Sequence, residues 1–236
     1  MSDYPIEQIR SRFPGLTRQV SGQQAIFFDG PGGSQSPESV GESVKHYLLH
    51  QNSNVGMSFA TSKETDELIE HTMMACADLL GCADHREIVF GQNMTSLTIQ
   101  LASALSRTWG PEDEVVVTRS DHDANVRPWV LAAQWSGAKI RWIEINPTDC
   151  THSTESIEEN INENTVMVAI AAASNFSGTI NDVKGICSKA HSVDAEVFVD
   201  AVHYAPHGLI DVKEMGCDYL ACSSYKFFGT HQGILW

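Results

Sequence analysis

A lysine and an aspartate at the ends of two apolar segments carry the main chemical signal of this sequence. Lys226 follows the run at residues 218–221, and Asp200 ends the run at residues 196–199. Burial among aromatic side chains such as Tyr225 strips a lysine of its hydration, which favours the neutral, nucleophilic amine that forms Schiff bases. The alternative is a lysine whose stem covers the rings while its ammonium reaches water. Lys226 taken alone does not exclude that alternative.

Other polar segments also follow predicted strands, where an α/β sheet gathers ligand-binding groups. Free amides at a helix start, here Met94 and Thr95, suit a phosphate. The imidazole of His122 can stack on a flat ring, and Asn175 offers a donor or acceptor after the most apolar strand. A buried carboxylate such as Asp200 needs a cationic or hydrogen-bonding partner, and a protonated pyridine nitrogen is one. Each segment by itself also fits an ordinary N-cap, turn or loop.

Two weaker motifs point elsewhere. Gly30-Pro31-Gly32-Gly33 lacks the third glycine of the dinucleotide fingerprint and the Gly-Lys-Ser/Thr ending of a nucleotide-triphosphate loop, so it predicts a turn. His203 and His207 have metal-ligand spacing, but the intervening Pro206 disfavours a helical pair. We predict no metal site, and a metal centre around His122 and His203 is the least favoured alternative.

The composition indicates an acidic globular protein. The chain has 236 residues, 42% of them hydrophobic, and a formal net charge of -15. Nucleic acids and anionic membranes bind basic surfaces, so neither is expected as a partner. We find no signal peptide and no apolar run long enough to span a bilayer. These features predict a cytoplasmic protein with reduced cysteines.

Helices and strands alternate along the chain, which predicts an α/β fold: a mostly parallel sheet in a three-layer sandwich. The predicted strands are residues 87–90, 114–118, 139–145, 166–173, 196–200 and 218–221, with another opening at residue 233. The predicted helices are residues 37–51, 61–80, 126–135, 154–161 and 182–191, and one more begins at residue 93 or 94. Thr61-Ser62-Lys63-Glu64 predicts a capping box. The apolar end of the chain predicts a fragment of a longer protein.

Together these motifs resemble fold type I pyridoxal-phosphate enzymes of the class V aminotransferase and cysteine desulfurase family. The resemblance covers residues 27–236 and depends most on Asp200-x-x-His203 and Ser223-x-x-Lys226. It implies that residues 1–20 are an N-terminal segment. Residues 21–236 would be the pyridoxal-phosphate-binding large domain, incomplete at its C-terminal end, with the small C-terminal domain absent.

The resemblance implies three catalytic residues. Lys226 would form an aldimine with pyridoxal 5'-phosphate and move the Cα proton. Asp200 would pair with the ring nitrogen, and His122 would stack on the ring. The implied cofactor-binding residues are Met94, Thr95, His122, Asn175, Asp200, His203, Ser223, Tyr225 and Lys226.

The cofactor's two ends would meet different residues of this set. The amides of Met94 and Thr95, with Ser223, would hold the phosphate. Asn175 and His203 would contact the side of the ring that carries the hydroxyl.

Several positions depart from the desulfurase pattern. Tyr225 stands where histidine usually precedes the lysine; it can donate to phosphate but carries no positive charge. Glutamine is common at the position of His203, and a second histidine at that of Asp123. Thr230-His231-Gln232-Gly233 replaces a Pro-Thr-Gly pattern. These departures indicate a desulfurase-like side branch.

The resemblance implies a homodimeric enzyme acting on a small amino-acid substrate. Cysteine desulfuration or selenocysteine lysis is favoured, with class V aminotransferase or epimerase activity as the alternative. In this family the small domain supplies the arginine for the substrate carboxylate and, in desulfurases, the sulfur-accepting cysteine. None of the six cysteines present matches that position. A truncated, catalytically inactive fragment that binds cofactor or a partner is the alternative from another class.

Overall fold

A seven-stranded sheet forms the centre of the computed structural model, which describes residues 4–236. With strands numbered in chain order, its spatial order is Val89–Gly91 (β3), Gly233–Leu235 (β9), Tyr219–Ser223 (β8), Glu196–Asp200 (β7), Thr165–Ala171 (β6), Glu114–Thr118 (β4) and Lys139–Ile143 (β5). The neighbours from β8 to β5 pair in parallel, and β9 runs antiparallel to β8 and β3. A separate hairpin joins Gln19–Val20 (β1) to Gln23–Gln24 (β2). The predicted mostly parallel α/β sheet is confirmed.

Helices cover both faces of this sheet. They are Ile6–Arg10 (α1), Glu38–His46 (α2), Ala60–Leu80 (α3), Met94–Leu105 (α4), Arg127–Ser136 (α5), Thr154–Asn160 (α6), Val183–His191 (α7) and Val212–Met215 (α8). Successive side chains of strand β6 point to opposite faces, as expected in a sheet that is covered by helices on both faces. Val168 and Ile170 join the core beneath α3 and α7, whereas Met167 and Ala169 join the core beneath α4 and α5. The two cores confirm the predicted three-layer arrangement.

Some predicted boundaries differ from the structure. The strands predicted at residues 139–145 and 166–173 leave the sheet early, and Ile145 and Ala173 form isolated antiparallel bridges instead. The predicted capping box at Thr61-Ser62-Lys63-Glu64 is wrong, because α3 begins at Ala60 without a side-chain cap. Thr61, the predicted cap residue, therefore lies inside the first turn, and the buried hydroxyl of the next residue, Ser62, accepts a hydrogen bond from the Met57 amide at 2.9 Å.

Two paired glycines let helix α4 approach the sheet. Gly91 of β3 lies opposite Gly233 of β9 in the antiparallel ladder. A Cβ atom on Gly233 would lie 2.5 Å from the carbonyl carbon of Asn93, and one on Gly91 would lie 2.6 Å from Cγ of Leu97. Side chains at either position would therefore push the start of α4 away from the ends of the strands.

Candidate active site

A cavity of about 480 Å³ lies at the carboxyl ends of the parallel strands. Ala171 ends β6, Asp200 ends β7 and Ser223 ends β8, and all three line its wall. The cavity brings together all nine cofactor-binding residues predicted from the sequence: Met94, Thr95, His122, Asn175, Asp200, His203, Ser223, Tyr225 and Lys226. This edge is where open α/β sheets bind their ligands.

Asp200 is the buried acid of the cavity. It lies between Ala171 and Ala221 in the sheet and is 6% exposed. Burial raises the pKa of Asp200 to about 7; the Val202 amide, which donates to Oδ1 at 2.9 Å, opposes this rise. Nearby Asp121 adds to the rise in pKa, and Lys226 lowers it. A cationic donor in the cavity would therefore stabilise the ionised form of this carboxyl group.

Asp121 is a second carboxyl group near Asp200. Thr118 Oγ1 donates to its Oδ1 at 2.7 Å, and Asn125 Nδ2 donates to its Oδ2 at 2.8 Å. Burial raises the pKa of Asp121 to about 6, against the opposing effect of these hydrogen bonds. Asn125 is itself held by the indole of Trp129 at 3.1 Å. The network fixes the segment that carries His122.

Lys226 lies on the short 3-10 turn that follows β8 and is half-buried. Its Nζ donates to the carbonyl oxygen of Pro31 and lies 4.8 Å from the centroid of the Tyr225 ring. The Gly30–Gly32 segment forms a 3-10 turn, so the predicted turn is confirmed. Its position against Lys226 was not foreseen from the sequence. The amine is thus held at the cavity wall by a carbonyl and an aromatic face.

An anion-binding corner is formed where α4 meets β8. The Met94 amide donates to Ser223 Oγ at 2.9 Å, and both residues are buried. Asn93 caps the helix, since its Oδ1 accepts the Ser96 amide at 2.9 Å. The Thr95 amide has no acceptor among residues 4–236. The Thr95 amide and the Ser223 hydroxyl proton therefore remain for an anion at the positive end of α4.

His122 and His203 occupy different environments on the cavity wall. His122 is exposed, and its Nδ1 accepts the Ala124 amide at 3.1 Å, which leaves the ring proton on Nε2. His203 is partly buried, and burial lowers its pKa, with smaller contributions from His207 and Lys226. Neutral imidazole is therefore the favoured form of His203.

The metal-site alternative gains no support from the described residues 4–236, where no three His, Cys, Asp or Glu side chains gather closely enough to hold an ion. His203 and His207 lie on a turn with ring centroids 5.2 Å apart. The sequence prediction that Pro206 prevents a helical i, i+4 pair is confirmed.

His231 also lines the cavity, and in the sequence it stands out only as part of the departure at Thr230-His231-Gln232-Gly233. Its ring stacks on that of Tyr225, with centroids 4.2 Å apart and planes 8° from parallel. A detectable signal was present: the position before the lysine lacks histidine, and a histidine appears shortly after it.

The described residues carry neither a disulfide nor a helix long and apolar enough to cross a membrane. All six cysteines are free. Burial raises the pKa of Cys187, Cys217 and Cys222 to about 12, so these thiols resist ionisation. None of the six lines the cavity.

Residues 26–234 match the family model described as aminotransferase class-V. The chain belongs to this family. Enzymes of the class V aminotransferase family use pyridoxal phosphate. The family assignment and the seven-stranded sheet together confirm the resemblance seen in the sequence motifs.

Curated relatives within this family include aminotransferase-like and desulfurase proteins. The aminotransferase-like protein FGM3 of Gibberella zeae is 35% identical over 100% of this chain and 58% of its own length. A probable cysteine desulfurase of Halalkalibacterium halodurans is 34% identical over 97% of this chain and 57% of its own. The present chain therefore spans somewhat more than half the length of these relatives.

Solved structures of desulfurases share the fold. The cysteine desulfurase from Thermococcus onnurineus NA1 has a TM-score of 0.88 and 28% identity, covering 98% of this chain and 56% of that one. The cysteine desulfurase CsdA from Escherichia coli has a TM-score of 0.87 and 27% identity, covering 99% of this chain and 58% of that one.

Proposed function

We propose that this chain binds pyridoxal 5'-phosphate through Lys226 and forms part of an enzyme that removes sulfur from cysteine or selenium from selenocysteine. The observation that carries the proposal is the buried carboxyl group of Asp200 in the same cavity as the amine of Lys226. A buried acid next to a cavity needs a cationic partner, and a protonated pyridine nitrogen is one. The similarity to cysteine desulfurases supports sulfur removal as the reaction.

The cavity residues fit the three functional parts of this cofactor. The Thr95 amide and the Ser223 hydroxyl suit its phosphate, since both are free donors where the start of α4 meets the end of β8. Asp200 suits the ring nitrogen, and the primary amine of Lys226 suits the aldehyde. When bound, the cofactor supplies an electron sink for negative charge at the Cα atom of an amino acid.

Each cavity residue would then have a definite task. Ionised Asp200 would keep a proton on the ring nitrogen, and this contact would lower its pKa from about 7. Lys226 Nζ would move the proton at the substrate Cα atom. His122 would cover one ring face, and Asn175 and His203 would orient the side that carries the hydroxyl. The tyrosine hydroxyl of Tyr225 would add a donor to the phosphate.

We further propose that residues 21–236 form the cofactor-binding domain of a cytoplasmic homodimer, with residues 1–20 as an N-terminal segment. Exposed apolar side chains on and between α2 and α3 support self-association, because water disfavours such surfaces. They are Leu48, Leu49, Val55, Met57, Phe59 and Leu68. The groups that bind the substrate carboxylate and accept sulfur are expected outside residues 1–236.

The test uses protein expressed from the complete reading frame, loaded with pyridoxal phosphate and given L-cysteine with dithiothreitol as sulfur acceptor. We expect sulfide and alanine in equal amounts, and neither product from the Lys226→Ala variant. A 2-oxo acid without sulfide would indicate an aminotransferase, and D-cysteine an epimerase. Bound cofactor whose spectrum never responds to cysteine would indicate a catalytically inactive, cofactor-binding protein. Any of these three results would contradict the proposed reaction.

A further inference from the structure

His231 lies beside the anion-binding corner described above. Its imidazole stacks nearly parallel on Tyr225 at a centroid distance of 4.2 Å. Both rings line the cavity together with Ser223 and Thr95. The stack therefore holds the exposed His231 ring on the wall of the cavity that also contains the free helix amide and serine hydroxyl.

The loop that carries His231 is tied to both sides of this corner. On one side, Ser224 donates its hydroxyl to the Thr230 carbonyl at 2.7 Å and its amide to the Gln232 carbonyl at 3.0 Å. On the other side, Gln232 Nε2 donates to the carbonyl oxygen of Gly91, at the end of β3 and just before α4. These bonds fix the loop by contacts with the two elements that form the corner.

In the part of the chain that the structure describes, the anion-binding corner has no arginine or lysine side chain that is reserved for binding an anion. No arginine lines the cavity among residues 4–236, and its one lysine, Lys226, is the residue proposed to attach the cofactor. Tyr225 occupies the position where desulfurases usually carry histidine, and its phenol can donate a hydrogen bond but adds no charge. A phosphate dianion gains most from charged donors. A histidine from the following loop supplies an imidazole N–H donor in its place.

We propose that His231 is a phosphate-binding residue that donates a ring N–H to the cofactor phosphate, with the Tyr225 ring as its platform. This assignment rests on the proposed function, because it requires pyridoxal phosphate in the cavity. His231 acts only on the phosphate end, so its loss changes recognition of the phosphate and leaves recognition of the aldehyde and ring unchanged.

The experiment compares affinities for pyridoxal phosphate and for pyridoxal, which lacks the phosphate, by titrating the absorbance of the bound aldehyde. The wild-type protein is expected to prefer pyridoxal phosphate. In His231→Gln and His231→Phe this preference should fall by about 10- to 100-fold, as expected for loss of a charged hydrogen bond. His231→Phe keeps a ring to stack on Tyr225, and His71→Gln, at an exposed site on α3, is the matched control that should keep the wild-type preference.

The outcomes separate the role of His231 from the proposed function. Wild-type binding of pyridoxal phosphate with unchanged preference in both His231 variants overturns the phosphate role alone. An equal loss of affinity for both aldehydes also overturns it, since that pattern marks a structural role; circular dichroism of each variant checks its folding. A wild-type protein that binds neither aldehyde overturns both proposals.

Discussion

The Met94 amide donates a 2.9 Å hydrogen bond to the Ser223 hydroxyl, although the two residues lie 129 positions apart. The bond joins the first turn of α4 to the end of β8, next to the turn that carries Lys226. Both residues are 2% exposed, so water does not compete for this contact. The bond thus fixes a helix start, with the free amide of Thr95, against the strand end that leads to the proposed Schiff-base lysine.

Replacing Ser223 with alanine should weaken both the fold and phosphate binding. The Met94 amide would be left buried without an acceptor, which costs about 1–3 kcal/mol of unfolding free energy. Urea denaturation followed by circular dichroism measures this change. Ser188→Ala, which removes an exposed hydroxyl from α7, is the control and should stay within about 0.5 kcal/mol of wild type. Equal stability of the two variants would refute the proposed importance of the contact.

Replacing Gly233 with alanine should displace the start of α4. The new Cβ atom would lie 2.5 Å from backbone of Asn93, which cannot rotate away as a side chain can. We expect a loss of about 1–3 kcal/mol in unfolding free energy and weaker binding of pyridoxal phosphate. Gly110→Ala is the control, because its Cβ atom would meet no atom within 4 Å. A Gly233→Ala variant with wild-type affinity would show that α4 tolerates the shift.

The strand ends of the site could be predicted because their signals are local. Apolar runs that stop at Asp200 and just before Ser223 are visible in the sequence itself, and the parallel sheet then brings these ends together. The contact from Lys226 to Pro31 joins residues 195 positions apart, and no sequence pattern encodes it. The position of His231 in the cavity could not be predicted for the same reason, because a hydrogen bond from Gln232 to the distant Gly91 holds its loop.

The capping-box error at α3 has a different cause. The Thr61-to-Glu64 pattern is present, but the helix begins at Ala60 with Phe59 as its N-cap residue, so Thr61 already lies inside the first turn. A shift of one or two residues in a helix start is enough to remove a predicted cap. The interaction of Asp121 with Asp200 could not be predicted, because it depends on the nearness of two residues that follow or end different strands.

Asp200 should make the cofactor-free protein less stable as pH rises. Its folded-state pKa is about 7, whereas an unfolded aspartate titrates near 3.9. Between these values the folded state binds the extra proton, so unfolding free energy falls as pH increases from about 4 to about 7. Asp200→Asn removes this dependence. At pH 8 its free energy of unfolding should therefore exceed that of wild type by up to about 4 kcal/mol.

Chemical denaturation of cofactor-free protein at pH 5 and pH 8 measures this effect. Exposed Asp78 on α3 provides the control variant Asp78→Asn, which should follow the wild-type profile. Identical pH profiles for wild type and Asp200→Asn would mean that Asp200 is solvated in the folded protein.

The most direct test of the central claim is the site of covalent attachment. Wild-type protein is mixed with pyridoxal phosphate, reduced with borohydride, digested and examined by mass spectrometry. We predict one phosphopyridoxyl group on the peptide that contains Lys226, and none on that peptide in Lys226→Ala, while Lys213→Ala labels as wild type does. Label spread over several of the seven lysines, or absent from Lys226, would contradict the assignment of this cavity as a pyridoxal-phosphate site.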